Sequence, residues 1–119
     1  SDADLFISVH NNSTNSGRMS SANGTAVMYN ESDESELGSK RLAQICLEEV
    51  RGQLQSRNRG LVEGDSIYII RTSKVPVALI EVGFMTNQQE LDLLRSEDYQ
   101  KKAALGIYHA ILRAFEEGY

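Results

Sequence analysis

The stretch Val77–Val82, with the sequence VALIEV, decides the fold. It is a nearly continuous apolar run of strand length, and such runs are typical of strands whose two faces are both buried in a sheet. Pro76 precedes it and favours a turn that leads into the strand. One charge, Glu81, interrupts the run. The sequence therefore predicts a buried strand that carries a carboxylate.

Three further segments predict strands: Leu5–Val9 (LFISV), Thr25–Tyr29 (TAVMY) and Ser66–Arg71 (SIYIIR). The first of them ends at a histidine, His10. Residues 11–24 are rich in Asn, Ser and Gly and predict a long surface loop.

Other segments have helical periodicity. Apolar residues that recur every fourth position predict a helix with one buried face. The residues of this apolar stripe are Leu42, Cys46, Val50 and Leu54. Asn87 with Glu90 resembles a capping box that opens a short helix to Arg95. Ser96 is the predicted cap of the last helix, which ends near Gly118. Its predicted buried stripe comprises Tyr99, Ala103, Ile107, Ile111 and Phe115.

These elements follow the order β-β-α-β-β-α-α. Apolar strands with amphipathic helices between them predict an α/β fold, in which helices flank a mixed or largely parallel sheet. The 119 residues are the length of a single domain, which we place at 1–119.

Composition excludes several classes of function. The formal net charge is -5 and no long basic run occurs, which argues against a nucleic-acid partner. No apolar run reaches membrane-spanning length. The single cysteine, Cys46, excludes an internal disulfide and a Cys-based zinc cluster, and its place in a helical stripe predicts core packing.

His10 and Glu81 are the candidate functional residues, because both interrupt or end apolar strands. In open α/β sheets, sites gather at the carboxyl ends of strands, so we expect the two side chains near each other at one sheet edge. His10 is either a strand-end histidine bonded to backbone or a metal ligand or acid/base. Glu81 is either the partner of an arginine such as Arg71 or a general base whose pKa is raised by burial. His109, on the last helix, is predicted to be structural or at the surface.

Several motifs together resemble one family. The segments are LFISVH (Leu5–His10), Asn23-Gly24, Arg59-Gly60 and PVALIEVGFMTN (Pro76–Asn87), and SEDYQKKAALGIYHAI resembles the closing helix. In order and spacing they resemble the catalytic domain of the zinc-dependent N-acetylmuramoyl-L-alanine amidases of bacterial cell-wall turnover, the Amidase_3 type. The resemblance covers nearly the whole chain.

The resemblance implies a secreted hydrolase that acts in the cell wall or periplasm, such as an autolysin. It implies cleavage of the amide between N-acetylmuramic acid and L-alanine in peptidoglycan or a muropeptide. The implied cofactor is Zn²⁺, with His10 as a metal ligand and Glu81 as the catalytic glutamate. Autolysin, sporulation enzyme and phage lysin all stay open.

One departure from the family pattern matters. The family supplies another histidine and a glutamate as zinc ligands from a portion before the LFISVH strand, and here only four residues precede Leu5. The resemblance therefore implies the C-terminal part of the domain, with its N-terminal part absent. We expect this part to be inactive alone and, through uncovered sheet edges, to form a homo-oligomer or swapped dimer.

Two other functions compete with the hydrolase. One is a non-catalytic module that holds peptidoglycan in the same cleft. The other is a structural interaction domain in which Glu81 and Arg71 simply form an ion pair.

Overall fold

A four-stranded mixed sheet forms the centre of the protein in the computed structural model, which describes residues 2–119. The strands are Phe6–Asn12 (β1), Thr25–Tyr29 (β2), Asn58–Glu63 (β3) and Val77–Phe84 (β4). Their spatial order is β1-β4-β2-β3. β1 runs parallel to β4, and β2 runs parallel to β3, while β2 and β4 are antiparallel. The predicted α/β fold with a mixed sheet is thus confirmed.

β4 lies inside the sheet, as its apolar sequence predicts. Every residue from Val77 to Phe84 is buried except Glu81, which is partly exposed. β1 and β3 are the outer strands, and both carry several exposed residues. The apolar run thus marks the strand that has neighbours on both sides.

Helices cover the two faces of the sheet unequally. They are Gly38–Leu54 (α1), Tyr68–Arg71 (α2), Gln88–Leu94 (α3) and Glu97–Glu117 (α4). α1 and α4 pack on one face, where the main core contains Val27, Leu42, Ile45, Cys46, Val50, Ala78, Ile80 and Ala110. On the opposite face, which we call the open face, α2 covers only one end, through Ile70 against Val77 and Leu79.

Two sequence predictions about element order are wrong. Residues 68–71 form the short helix α2 instead of a strand, and the third strand along the chain is Asn58–Glu63, so the order is β-β-α-β-α-β-α-α. The spacing of Ile67 and Ile70 turns both side chains toward one small core, while Tyr68 points to solvent with 69% exposure. β3 is an edge strand with a polar sequence, so it lacks the apolar run that reveals β4.

The buried stripe of α4 also differs from the prediction. Tyr99 and Ala103 are buried as expected, but Phe115 is 48% exposed. The buried positions further along are small residues: Gly106, Ala110 and Ala114. The side of α4 that faces α1 is therefore the one that allows a close approach of the two backbones.

The predicted helix ends and the buried cysteine are confirmed. The Asn87 side chain accepts from the backbone N–H of Glu90 at 3.0 Å, and Ser96 accepts from that of Tyr99 at 3.4 Å. Gly118 ends α4 in the left-handed conformation. Cys46 is buried in the core, and burial raises the pKa of its thiol to about 12.

Gly106 and Gly52 offer a matched test of helix packing. A Cβ at Gly106 would lie 2.8 Å from the Cα of Val50, whereas a Cβ at Gly52, in α1, would meet nothing within 4 Å. We expect Gly106→Ala to lower the free energy of unfolding by about 1–3 kcal/mol, because α1 and α4 must move apart.

The control Gly52→Ala should raise the free energy of unfolding by about 0.5–1 kcal/mol, since alanine is the better residue inside a helix. Urea unfolding followed by circular dichroism measures both. Equal effects of the two substitutions would contradict the assigned packing of α1 on α4.

Candidate active site

The sheet places His10 and Glu81 side by side. They are register partners on the parallel strands β1 and β4, so their backbones are about 4.8 Å apart and their side chains leave the same face. This is the open face, beyond the end that α2 covers. The predicted proximity of the two residues is therefore observed.

His10 is exposed, and within residues 2–119 its ring makes one hydrogen bond to a side chain. Its Nε2 lies 2.9 Å from the hydroxyl of Ser8, two residues back on the same face of β1. This contact orients the imidazole without burying it. A purely structural strand-end histidine is expected to bond to the backbone. The His10 ring makes no such hydrogen bond within residues 2–119.

Glu81 is a half-buried carboxylate whose Oε2 is buried without a hydrogen-bond partner among the residues that the structure describes. Burial raises the pKa of Glu81, and the nearby charge of His10 acts in the opposite direction. Unpaired buried carboxylates are costly, which makes this atom the strongest chemical signal in the chain.

The alternative in which Glu81 pairs with Arg71 is wrong. The Arg71 guanidinium instead donates to the backbone carbonyls of Asp65 and Ser66, at 3.3 and 3.4 Å, and lies over the ring of Tyr68. Arg71 lies in α2, and its hydrogen bonds go to the turn just before that helix. A structural domain built on a Glu81–Arg71 ion pair is thereby ruled out for the described residues.

Glu81 lines a cleft of about 350 Å³ on the open face. The other lining residues are Asn12, Ala26, Met28, Arg59, Val62, Ile67 and Phe84. Ala26 is the register partner of Glu81 on β2, and its small side chain leaves space above the strand. We call this space the Glu81 cleft.

A larger cleft of about 560 Å³ lies between the end of α1, α3 and the start of α4. Its lining includes Arg57, Asn87 and Tyr99. It contains neither His10 nor Glu81, and no side-chain atom of its lining is both buried and without a partner. We therefore assign the site to the smaller cleft, where the unsatisfied carboxylate lies.

Two β-bulges shape the Glu81 cleft. Along β1 and β4 the register passes from His10↔Glu81 to Asn12↔Phe84, so β4 has one extra residue. Along β2 and β3 it passes from Thr25↔Asn58 to Ala26↔Gly60, which leaves Arg59 as the extra residue. A bulge re-aims side chains. Phe84, which strict alternation would place on the other face, thus shares a cleft with Glu81.

A second glutamate, Glu90, holds this end of the sheet together. It is buried, and its Oε1 accepts from the backbone N–H groups of Gly24 and Phe84, both at 2.9 Å. It therefore does not complete a capping box with Asn87. Glu90 instead joins the start of β2, the end of β4 and α3.

The sequence analysis missed Ser8, Asn12, Arg59 and Phe84. Alternation along β1 was a usable signal for Ser8, because residues two apart share a face with His10. Arg59 was noted only as part of the Arg59-Gly60 motif, and nothing local in the sequence gives the orientation of Arg59 or Phe84, which depends on bulges.

The described residues fit one position of a zinc site. An imidazole is a suitable ligand, but a catalytic zinc needs about three protein ligands. No group of three or more His, Cys, Asp or Glu side chains in residues 2–119 could hold a metal ion. The other histidine, His109, lies on the helical side of the sheet beside Tyr108, with ring centroids 5.9 Å apart.

Comparison with known proteins identifies the family. Residues 1–113 match the Amidase_3 family, described as N-acetylmuramoyl-L-alanine amidase. The chain belongs to this amidase family. The family resemblance drawn from LFISVH and LIEVGFMTN is therefore confirmed.

Relatives of this amidase chain include two proteins of Bacillus subtilis (strain 168). The germination-specific N-acetylmuramoyl-L-alanine amidase is 37% identical over 117 residues, which are 98% of the chain and 47% of that protein. The uncharacterized protein YqiI is 43% identical over 109 residues, covering 92% of the chain and 50% of YqiI.

A solved structure supports the amidase fold. The N-acetylmuramoyl-L-alanine amidase from Clostridium difficile 630 superposes with a TM-score of 0.88 at 32% identity, over 98% of this chain and 60% of that one. The chain spans about half the length of the two Bacillus subtilis relatives. None of the helices in residues 2–119 is long and apolar enough to cross a membrane.

The two glutamates near the cleft should respond oppositely to mutation. Glu90→Ala should lower the free energy of unfolding by about 2–3 kcal/mol, because it leaves two buried N–H groups without an acceptor. Glu81→Gln should leave it unchanged or raise it by about 1 kcal/mol, because it removes a charge that has no partner.

Urea unfolding in the presence of a chelator measures both values without a contribution from bound metal. A Glu81→Gln variant less stable than Glu90→Ala would mean that Glu81 has a structural partner.

Proposed function

We propose that this chain forms the Glu81-bearing part of a peptidoglycan hydrolase. The reaction is cleavage of the amide between the lactyl group of N-acetylmuramic acid and the L-alanine of the stem peptide. The observation that carries the proposal is the half-buried carboxylate of Glu81 beside His10, whose Oε2 has no hydrogen-bond partner within residues 2–119, in a chain of the amidase family.

Glu81 acts as the general base and then as the general acid. It takes a proton from water as the water oxygen attacks the amide carbon. When the C–N bond breaks, it returns a proton to the nitrogen of L-alanine, which leaves as an amine. Burial raises the pKa of Glu81, which makes its carboxylate a better proton acceptor in the first step. Oε2 makes no hydrogen bond within residues 2–119, so no structural partner competes for the proton that the carboxylate takes.

His10 is one ligand of a zinc ion in this proposal. When bound, zinc polarises a carbonyl and lowers the pKa of water. The other ligands come from parts of the protein outside residues 2–119. Ser8, at 2.9 Å from Nε2, orients the imidazole. Orienting contacts of this kind are common for metal-binding histidines.

The site of action in this proposal is outside the cytoplasmic membrane, in the cell wall or periplasm, where the substrate lies. The substrate is peptidoglycan or a muropeptide. The second candidate, a non-catalytic peptidoglycan-binding module, is favoured by the single candidate zinc ligand among the described residues. Stoichiometric zinc in the full-length protein, together with turnover, would exclude it.

Three substitutions separate the roles. Glu81→Gln in the full-length protein should lower turnover about 10²–10⁴-fold and keep the zinc, because it removes the base and no ligand. His10→Gln should reduce both zinc content and turnover. His109→Gln, the control on the other side of the sheet, should change neither.

Release of stem peptide from a purified muropeptide gives turnover, and atomic absorption gives zinc content. Zinc loss in Glu81→Gln would assign Glu81 as a ligand instead of the base. Full zinc in His10→Gln would remove His10 from the metal site.

A further inference from the structure

The side chain of Arg59 is held at the wall of the Glu81 cleft by several contacts. It is the extra residue of the bulge between β2 and β3, next to Gly60, whose φ of 83° the bulge uses. Its guanidinium carbon lies 4.9 Å from the centroid of the Phe84 ring, which is cation–π distance. Its Nη1 lies 3.4 Å from the carbonyl of Asn23.

Gly24 makes space for the stem of Arg59. A Cβ at Gly24 would lie 3.0 Å from the Cγ of Arg59 and 2.6 Å from the carbonyl oxygen of Arg57. The φ of Gly24 is 111°, which also favours glycine. The motifs Asn23-Gly24 and Arg59-Gly60, far apart in sequence, therefore meet at the Arg59 side chain.

Arg59 has no carboxylate within ion-pair distance among residues 2–119, although the protein is acidic. Two other arginines form ion pairs: Arg41 with Glu117 at 2.8 Å, and Arg113 with Glu48 at 2.8 Å. Arg59 lines the same cleft as Glu81 without pairing with it. A positioned arginine without an anion is suited to bind an anion from outside, since its planar fork matches a carboxylate.

We propose that Arg59 binds a free carboxylate of the stem peptide, on the residue that follows L-alanine. This inference rests on the proposed function. On the glycan side, the lactyl carboxyl is consumed in the scissile amide, so only the peptide side brings a carboxylate. Arg59 is then a specificity-determining residue that favours stem peptides with a free carboxylate over amidated ones.

The sheet geometry fits this assignment. β4 and β3 are two strand spacings apart, about 10 Å. An extended peptide advances about 3.3–3.6 Å per residue, so the residue after L-alanine begins about 3.5 Å beyond the nitrogen of the scissile bond, and its side groups extend further. A peptide whose amide sits at Glu81 and which crosses β2 therefore brings that residue within reach of a side chain projecting from β3. Ala26, between them, leaves the path clear.

The test uses two muramyl tripeptides with a C-terminal amide. They differ only at the second residue, a D-glutamate linked through its γ-carboxyl, which has either an α-carboxylate or an α-carboxamide. In the full-length protein, Arg59→Gln should lower kcat/KM for the carboxylate substrate about ten- to a hundredfold and leave that for the amide close to wild type. Arg59→Lys should fall between the two, because it keeps the charge and loses the fork.

Arg57→Gln is the matched control, since Arg57 is exposed just before β3 and lies outside the Glu81 cleft. It should keep the wild-type preference. An equal loss on both substrates in Arg59→Gln, or no loss on either, would overturn the inference.

Binding separates this inference from the proposed function. Both tripeptides are titrated calorimetrically into Glu81→Gln and into Glu81→Gln with Arg59→Gln. A preference for the carboxylate that disappears with Arg59 supports the inference even if the wild-type protein shows no turnover, which would overturn only the proposed function. Turnover without such a preference overturns the inference alone, and the absence of both binding and turnover overturns both.

Discussion

The burial of β4 is the constraint on which the rest of the structure depends. Its apolar side chains are covered on one face by α1 and α4 and, at one end of the other, by α2. These contacts fix the strand so firmly that it can carry Glu81 with a buried oxygen that has no partner within residues 2–119. A charge in such a place costs several kcal/mol by general estimates, and a strand held by fewer contacts would shift to hydrate it. A buried polar atom without a partner is typical of functional sites.

The position of β4 also explains why a polar side chain lies on each side of Glu81. His10 comes from β1 on one side of Glu81, and Arg59 comes from β3 beyond β2 on the other. Glu90 fixes the end of this arrangement. One of its oxygens, Oε1, accepts hydrogen bonds from the backbone N–H groups of Gly24, just before β2, and of Phe84, at the end of β4. The two strands therefore cannot slide relative to each other without leaving buried donors unpaired.

Local signals in the sequence predicted much of this fold. The run VALIEV, the stripe of α1 and the caps Asn87 and Ser96 all depend on residues close in sequence, and each has the predicted structure. β3 and α2 were missed because their structure depends on partners. NRGLVE pairs as an edge strand although its sequence is polar, and SIYIIR turns into a helix to bury Ile70 against Val77 and Leu79.

The same distinction applies to the site. His10 and Glu81 could be paired from sequence, because each is a polar residue at an apolar strand and both strands end at one edge of the sheet. Arg59 could not, because its orientation arises from one extra residue in a ladder that the sequence does not reveal. The resulting site is asymmetric. The exposed imidazole of His10 lies on the outer strand β1, whose free side pairs with no strand in residues 2–119. The guanidinium of Arg59, on the other side, lies against the ring of Phe84. One imidazole cannot hold zinc tightly, so the proposed zinc needs ligands besides His10, whereas the proposed contact with the peptide on the β3 side needs only Arg59.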